Sequence, residues 1–221
     1  MPSTVVITGA NRGIGLELAR LWHERGERVI PVCRKASREL RSLGLDLIEN
    51  IDVTRDGDSQ RLMEALAGER IDILYNNAGI LIDENLDNMN FDTMRQQFEV
   101  NTLGPLRVTH ALLPLMGEGA KVGLMTSRMG SIADNDSGGR YGYRMSKAAL
   151  NAAGKSLAVD LEPRGIAVAI LHPGFVQTEM TEGRGHITPA EAAQRLVQRM
   201  DELDLASTGT FWHSDGSVLP W

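Results

Sequence analysis

A glycine-rich turn, Thr8-Gly9-Ala10-Asn11-Arg12-Gly13-Ile14-Gly15, separates the β-branched run Thr4–Thr8 from a helical pattern over Gly13–Glu24. Few folds place such a turn between a strand and a helix. Glycine is needed where a Cβ would block a ligand or where the backbone takes positive φ. The helix start that follows offers unpaired N–H groups and the positive end of its dipole to an anion. Gly9, Asn11, Arg12, Gly13, Ile14 and Gly15 are therefore candidate contacts for the pyrophosphate of a dinucleotide, in the spacing Gly-x-x-x-Gly-x-Gly.

The rest of the chain repeats the alternation that the turn begins. Apolar runs of strand length recur at Arg28–Cys33, Leu45–Ile51, Ile71–Tyr75, Lys121–Thr126, Ile166–Leu171 and Thr210–His213. Helical patterns lie near Ser59–Ala67, Phe91–Met116, Tyr143–Leu161 and Pro189–Glu202. Strands alternating with helices predict βαβ units on a parallel sheet. The expected fold is α/β: one Rossmann-like, doubly wound domain over residues 1–221, mainly parallel, with about seven strands and its ligand at their carboxyl ends.

Bulk properties narrow the function. At 42% hydrophobic and 24% charged residues, the chain supports one substantial core, and no linker-like tract divides it. A net charge of -6 argues against nucleic acid as a partner, which would need a basic face. Cys33 is the sole cysteine, no leader-like segment precedes Val5-Val6-Ile7, and no apolar run approaches the roughly 18 residues of a membrane span. The expectation is a cytoplasmic protein that does not enter a membrane. The five histidines show no paired spacing, so no metal site is expected. Asp83-Glu84 and Glu179/Glu182 read as solvated loop carboxylates.

At the end of the second strand the chain has Cys33-Arg34-Lys35, where an NAD site usually carries an acidic residue. Arg34, helped by Arg12 or Lys35, would pair with a 2′-phosphate, which favours NADP(H) over NAD(H).

Tyr143 and Lys147 stand four residues apart, on one face of a helix and separated by about 40°. A free phenol has a pKa near 10. A neighbouring ammonium favours the phenolate and would bring Tyr143 into range for acid–base work. Tyr141 is the rival, but it lies about 240° around the helix from Lys147. Ser127, directly after the strand Val122–Met125, could hydrogen-bond a substrate oxygen as charge develops; Thr126 and Ser131 compete for that role.

Taken together, the glycine turn, Asn76-Asn77-Ala78-Gly79, Asn101, Ser127, Tyr143-x-x-x-Lys147 and Pro173-Gly174 make the chain resemble a compact short-chain dehydrogenase/reductase over essentially its whole length. The resemblance implies a catalytic set of Asn101, Ser127, Tyr143 and Lys147. Tyr143 would be the general acid in reduction, Lys147 would hold the nicotinamide ribose, Ser127 would polarise the carbonyl, and Asn101 would support a proton-relaying water. Asn101 read by itself is a mid-helix kink residue. Asn77, Ala78 and Gly79 would line the riboses, and Asp52 and Val53 the adenine. Pro173, Gly174, Val176 and Thr178 would border the nicotinamide amide. The ending Asp215–Trp221 resembles the carbonyl-reductase and C-factor-like subgroup.

Two departures bear on the pocket. The segment after Thr178 is short, which implies a shallow or open site, and the polar insert Asp134–Gly139 is expected to form one wall. The expected activity is hydride transfer between NADPH and a small carbonyl or alcohol. The alternatives are a nucleotide-sensing or cell-signalling protein on the same fold, and an NAD-linked alcohol dehydrogenase. A homodimer or homotetramer packed through the two long helices is left open.

Overall fold

The computed structural model describes residues 2–221. Strands β1 (Thr4–Thr8), β2 (Arg28–Val32), β3 (Ile71–Asn76), β4 (Met116–Met125), β5 (Ala167–His172) and β6 (Thr210–His213) form one sheet. The order is β2-β1-β3-β4-β5-β6, and every neighbouring pair is parallel. From β1 the chain winds outward to β2, then crosses back to β3 on the other side of β1. The crevice at the carboxyl ends of β1 and β3 is thus the topological switch point, where such sheets bind ligands.

Both sheet faces are covered, so β1 is buried along its whole length rather than on alternate residues. Val5 and Ile7 face a core completed by Leu18 and Trp22 of α1 (Gly13–Glu24) and Leu196 and Met200 of α7 (Pro189–Glu202). Val6 faces the opposite core. Helices α3 (Asp56–Ala65), α5 (Gly104–Leu112) and α6 (Tyr141–Leu161) cover that side through Leu62, Val108, Leu112 and Leu150. Helix α7 starts cleanly because Thr188 and Glu191 form a reciprocal capping box ahead of Pro189. Among the described residues, no helix is long and apolar enough to cross a membrane.

The sheet has six strands rather than seven. The expected strand over Leu45–Ile51 shrinks to one bridge, Val32 with Ile48. It would be an edge strand carrying Asp46 and Glu49, and Asn50 ends it by turning to φ 61°. A short helix, α2 (Arg38–Ser42), precedes it, capped by the Ser37 hydroxyl.

The long helix expected over Phe91–Met116 is also broken. Helix α4 (Phe91–Phe98) runs into a π turn at Glu99–Leu103, then into α5, and Met116 already belongs to β4. Two residues account for the break. Pro105 lacks the N–H that a regular helix would give to the Asn101 carbonyl. Gly104 packs so closely on Val53 that a Cβ there would lie 2.8 Å from its Cγ2.

Candidate active site

The switch point is held by side chain to backbone bonds between the ends of β1 and β3. The Thr8 hydroxyl accepts from the N–H groups of Asn77 (3.1 Å) and Ala78 (3.2 Å). In return the Asn77 amide donates to the carbonyls of Thr8 (3.0 Å) and Gly9 (3.2 Å). Helix α1 presses onto this junction. A Cβ on Gly15 would lie 2.4 Å from the Gly9 oxygen and 2.5 Å from the Asn77 amide nitrogen, so no larger residue fits. Arg12 precedes α1 without capping it through its side chain, which leaves first-turn N–H groups available to an anion.

A cavity of about 440 Å³ opens there. It brings together Gly9, Asn11, Arg12, Gly13, Ile14, Gly15, Arg34, Asp52, Val53, Asn77, Ala78, Gly79 and Thr178, all of them candidates from the sequence. Arg34 is exposed on its rim and forms no ion pair among the described residues, whereas Arg12 is paired with Glu179. Both side chains of that pair remain largely exposed, so Glu179 is a solvated carboxylate with one surface partner. Burial raises the Asp52 carboxyl, but hydrogen bonds from Thr54 and the charges of Arg34 and Arg55 outweigh it and hold the group below its ordinary value.

These residues suit a dinucleotide bearing a 2′-phosphate. Gly9 and Gly15 let β1, α1 and the chain after β3 pack closely at the cavity floor, the helix start offers N–H groups to anionic oxygens, and Arg34 is an exposed cation at the rim. Lining residues that the sequence reading did not select include Ile80, Gln96, Val100 and Met180. Gln96 and Val100 are spaced one helical turn apart, a pattern that also describes ordinary packing.

Pro173, Gly174 and Val176 do not line this cavity. Val176 is buried and bridged to Ile187, and its carbonyl accepts from the Thr181 hydroxyl at 2.7 Å. The short segment after β5 therefore folds back on itself. Gly174 packs against Ile187 and His213.

Beside the cavity, β4 and α6 place the remaining candidates. Ser127 follows the end of β4 by two residues, and its hydroxyl oxygen accepts from the Met129 N–H at 3.1 Å. Its rivals have committed their protons: Thr126 donates to Asn151 at 2.6 Å, and Ser131 to the Trp221 carbonyl at 3.1 Å. Tyr143 and Lys147 are both buried on one face of α6, with the lysine nitrogen 5.7 Å from the phenol ring centre. Lys147 Nζ donates to the Met125 carbonyl at 2.8 Å, and burial pushes its pKa down to about 7. Burial raises the Tyr143 phenol, while the Ser127 hydroxyl and the Arg140 charge pull it partly back. The phenol thus stays above its ordinary value, and the lowering expected from Lys147 is not found.

Asn101 sits in the π turn with its side chain tied to its neighbours. Its oxygen accepts from Ile80 N–H (2.8 Å), and its amide donates to the Ile80 carbonyl (2.9 Å) and the Ser146 hydroxyl (3.0 Å). It ties the chain after Gly79 to α6, and its amide N–H groups are taken by these contacts. Its place at a break in the helix agrees with reading it as a kink residue.

Glu84 corrects the sequence reading outright. It is 3% exposed, not solvated, and it lies against the start of α6. The insert at 134–139 contributes Ser137, Gly138 and Gly139 to a second, open cavity of about 450 Å³ beside Arg140, Asp83 and Asn85. His172 ends β5 edge-to-face with His213 at 4.9 Å, and burial, His213 and Arg128 push its pKa down to about 3.

A strand–glycine turn–helix at the switch point, with serine, tyrosine and lysine gathered beside it, defines a dinucleotide-dependent oxidoreductase site. Residues 3–187 match the family model described as short chain dehydrogenase, and the chain belongs to that family. It is 42% identical over 229 residues to 1-hydroxy-2-glutathionyl-2-methyl-3-butene dehydrogenase of Rhodococcus sp. (strain AD45), covering 99% of this chain and 100% of the relative. Carbonyl reductase Sniffer of D. melanogaster superimposes with a TM-score of 0.91 at 31% identity, covering 100% of both chains. An NADPH-bound carbonyl reductase from chicken fatty liver does so at 0.91 and 27%, again over 100% of both. The structure thus has a carbonyl-reductase-like fold.

Proposed function

We propose that the protein is an NADP(H)-dependent oxidoreductase that interconverts a small carbonyl compound and its alcohol. The observation that carries this reading is the burial of Tyr143 and Lys147 on one face of α6, beside the Ser127 hydroxyl and the glycine-turn cavity. The glycine turn and the start of α1 would hold the pyrophosphate, Arg34 the 2′-phosphate, and Lys147 the nicotinamide ribose. When bound, the cofactor supplies a hydride at nicotinamide C4.

The protein's part is to orient the substrate and move a proton. The Ser127 hydroxyl, which also bears on the Tyr143 phenol, would turn to donate to the substrate oxygen and fix it near Tyr143. As the carbonyl carbon gains the hydride, the Tyr143 phenol gives its proton to that oxygen, and the alcohol results. In the reverse direction the phenolate takes the proton back. The raised pKa of Tyr143 keeps the phenol protonated near neutral pH, which suits the reductive direction. Asn101 would act by fixing Ile80 and α6 rather than by touching substrate.

The relative from Rhodococcus is named for an alcohol bearing a glutathionyl group, and it matches this chain from end to end. Glutathionyl alcohols therefore belong in the substrate panel. The test is loss of NADPH absorbance with aldehydes, ketones and quinones, and its gain from NADP with alcohols, each beside the Tyr143→Phe variant. Turnover by the wild type alone supports the proposal. Tight NADPH binding with no turnover across the panel would favour a sensing role.

A further inference from the structure

We propose that Glu84 is a positioning residue for Tyr143, acting from the loop after β3 on the first turn of α6; this rests on Tyr143 being the proton donor. Helix α6 begins poorly by local means. Arg140, at its N-cap, adopts a left-handed φ of 50° and makes no side-chain cap. The missing acceptor comes from far away in sequence. Glu84 Oε2 accepts from the Gly142 N–H at 3.1 Å, and the Glu84 carbonyl accepts from the Arg140 N–H at 2.6 Å. A buried carboxylate at a helix start is favoured by both the free N–H groups and the dipole. Tyr143 is the next residue along.

The other carboxylate oxygen is held just as firmly. Oε1 accepts from the Gln97 amide at 2.7 Å and the Thr93 hydroxyl at 2.8 Å, both on α4. Gln97 cannot flip, because its own oxygen accepts from the Ile82 N–H at 2.9 Å. Nor can the helix shift closer. A Cβ on Gly142 would lie 2.6 Å from the Gln97 nitrogen and 2.9 Å from Glu84 Oε1. The loop after β3, α4 and the first turn of α6 thus form one clamped unit, and a hydrogen-bond network of this kind fixes geometry as well as adding stability.

The donor pattern gives a sharp test. Both oxygens of Glu84 face donors, so Glu84→Gln must turn its NH₂ towards either the Gly142 N–H or the Gln97 NH₂. The double variant Glu84→Gln/Gln97→Glu restores these pairings. In it, the amide oxygen introduced at position 84 takes the Gly142 N–H, and the amide nitrogen donates to the carboxylate introduced at position 97. That carboxylate still accepts from the Ile82 N–H. Thr93→Val removes a donor without touching α6.

The experiment compares kcat, KM, NADPH affinity and amide hydrogen exchange at residues 140–146 across these variants. Glu84→Gln is expected to lower kcat by about 10- to 100-fold, as misplacement of a reacting group does, with NADPH affinity kept and exchange accelerated. The double swap should restore kcat and slow exchange, while Thr93→Val, which takes one of two donors from Oε1 and leaves the Oε2 bond to Gly142, should lower kcat less than Glu84→Gln does. Should Glu84→Gln fail to fold, recovery in the double variant decides. The proposal is overturned if Glu84→Gln keeps wild-type kcat, or if the folded double variant regains neither kcat nor protection. Wild-type inactivity with the exchange differences intact would instead remove the oxidoreductase reading and leave the clamp standing.

Discussion

Lys147 Nζ donates to the carbonyl oxygen of Met125, at 2.8 Å, and thereby joins α6 to the end of β4 directly beside Ser127. The cost of this arrangement is electrostatic. With its pKa pushed down to about 7, Lys147 in the fold is largely deprotonated above that pH, while the unfolded chain stays protonated up to about 10.4. Between these values the unfolded state binds the extra proton, so stability rises with pH, and the full cost is present below about 7. Lys147→Met should abolish turnover yet raise stability near pH 7 by on the order of 1–3 kcal/mol, after allowing for the orphaned Met125 carbonyl. Urea unfolding at pH 7 and pH 10 measures both the gain and the lost slope.

Tyr143→Phe should remove about 10²- to 10⁴-fold of kcat while leaving NADPH affinity nearly unchanged, because it deletes a proton donor and little packing. Retention of most activity would exclude Tyr143 as the acid.

Arg34→Asp should move cofactor preference from NADPH towards NADH. The side chain is exposed on the cavity rim and has no carboxylate partner among the described residues. A lost charge-assisted contact of about 1.5–3 kcal/mol corresponds to roughly 10- to 100-fold in NADPH affinity. Titration of both cofactors by protein fluorescence checks it, and an unchanged ratio would count against Arg34.

Gly15→Ala should weaken NADPH binding and lower stability together. The added methyl meets the Gly9 oxygen at 2.4 Å, and backbone there cannot swing aside as a side chain could. Overpacking of this kind costs about 1–3 kcal/mol. Thermal unfolding with and without NADPH separates the two losses.

His172 should contribute to acid unfolding. Its pKa in the fold is about 3 and about 6.5 when unfolded, so between these values the unfolded chain takes a proton that the fold refuses. Stability then falls as pH drops, by about 1.4 kcal/mol per pH unit for this group. His172→Leu should flatten the stability profile between pH 6 and pH 4, and an unchanged slope would assign acid unfolding to other groups.

The legible parts of this molecule were those written in local chemistry. The β-branched run, the glycine spacing and the Tyr143–Lys147 interval carry their geometry with them, so the switch-point cavity and the α6 face could be expected residue by residue. Leu45–Ile51 shows where that stops. Its apolar content suits a strand, but whether it pairs depends on a neighbour's edge and on Asn50 turning aside. Glu84 shows the same limit for charge. A carboxylate in a loop is usually solvated, and nothing near it in sequence announces that Gly142, 58 positions on, supplies its partner. The groups that shift the Tyr143 phenol were likewise set by tertiary packing rather than by helical spacing.

The π turn at Glu99–Leu103 carries a consequence for how the chain tolerates length changes. Each helical residue advances the facing direction by about 100°. The turn takes up one residue more than regular winding would, so Gln97 can aim at Glu84 before it while Val108 and Leu112 lie on the sheet after it. Removing one residue from the turn would let it close to regular winding with both faces kept. The same deletion within α4 or α5 has no slack to draw on, and would turn the residues on one side of the cut away from their partners.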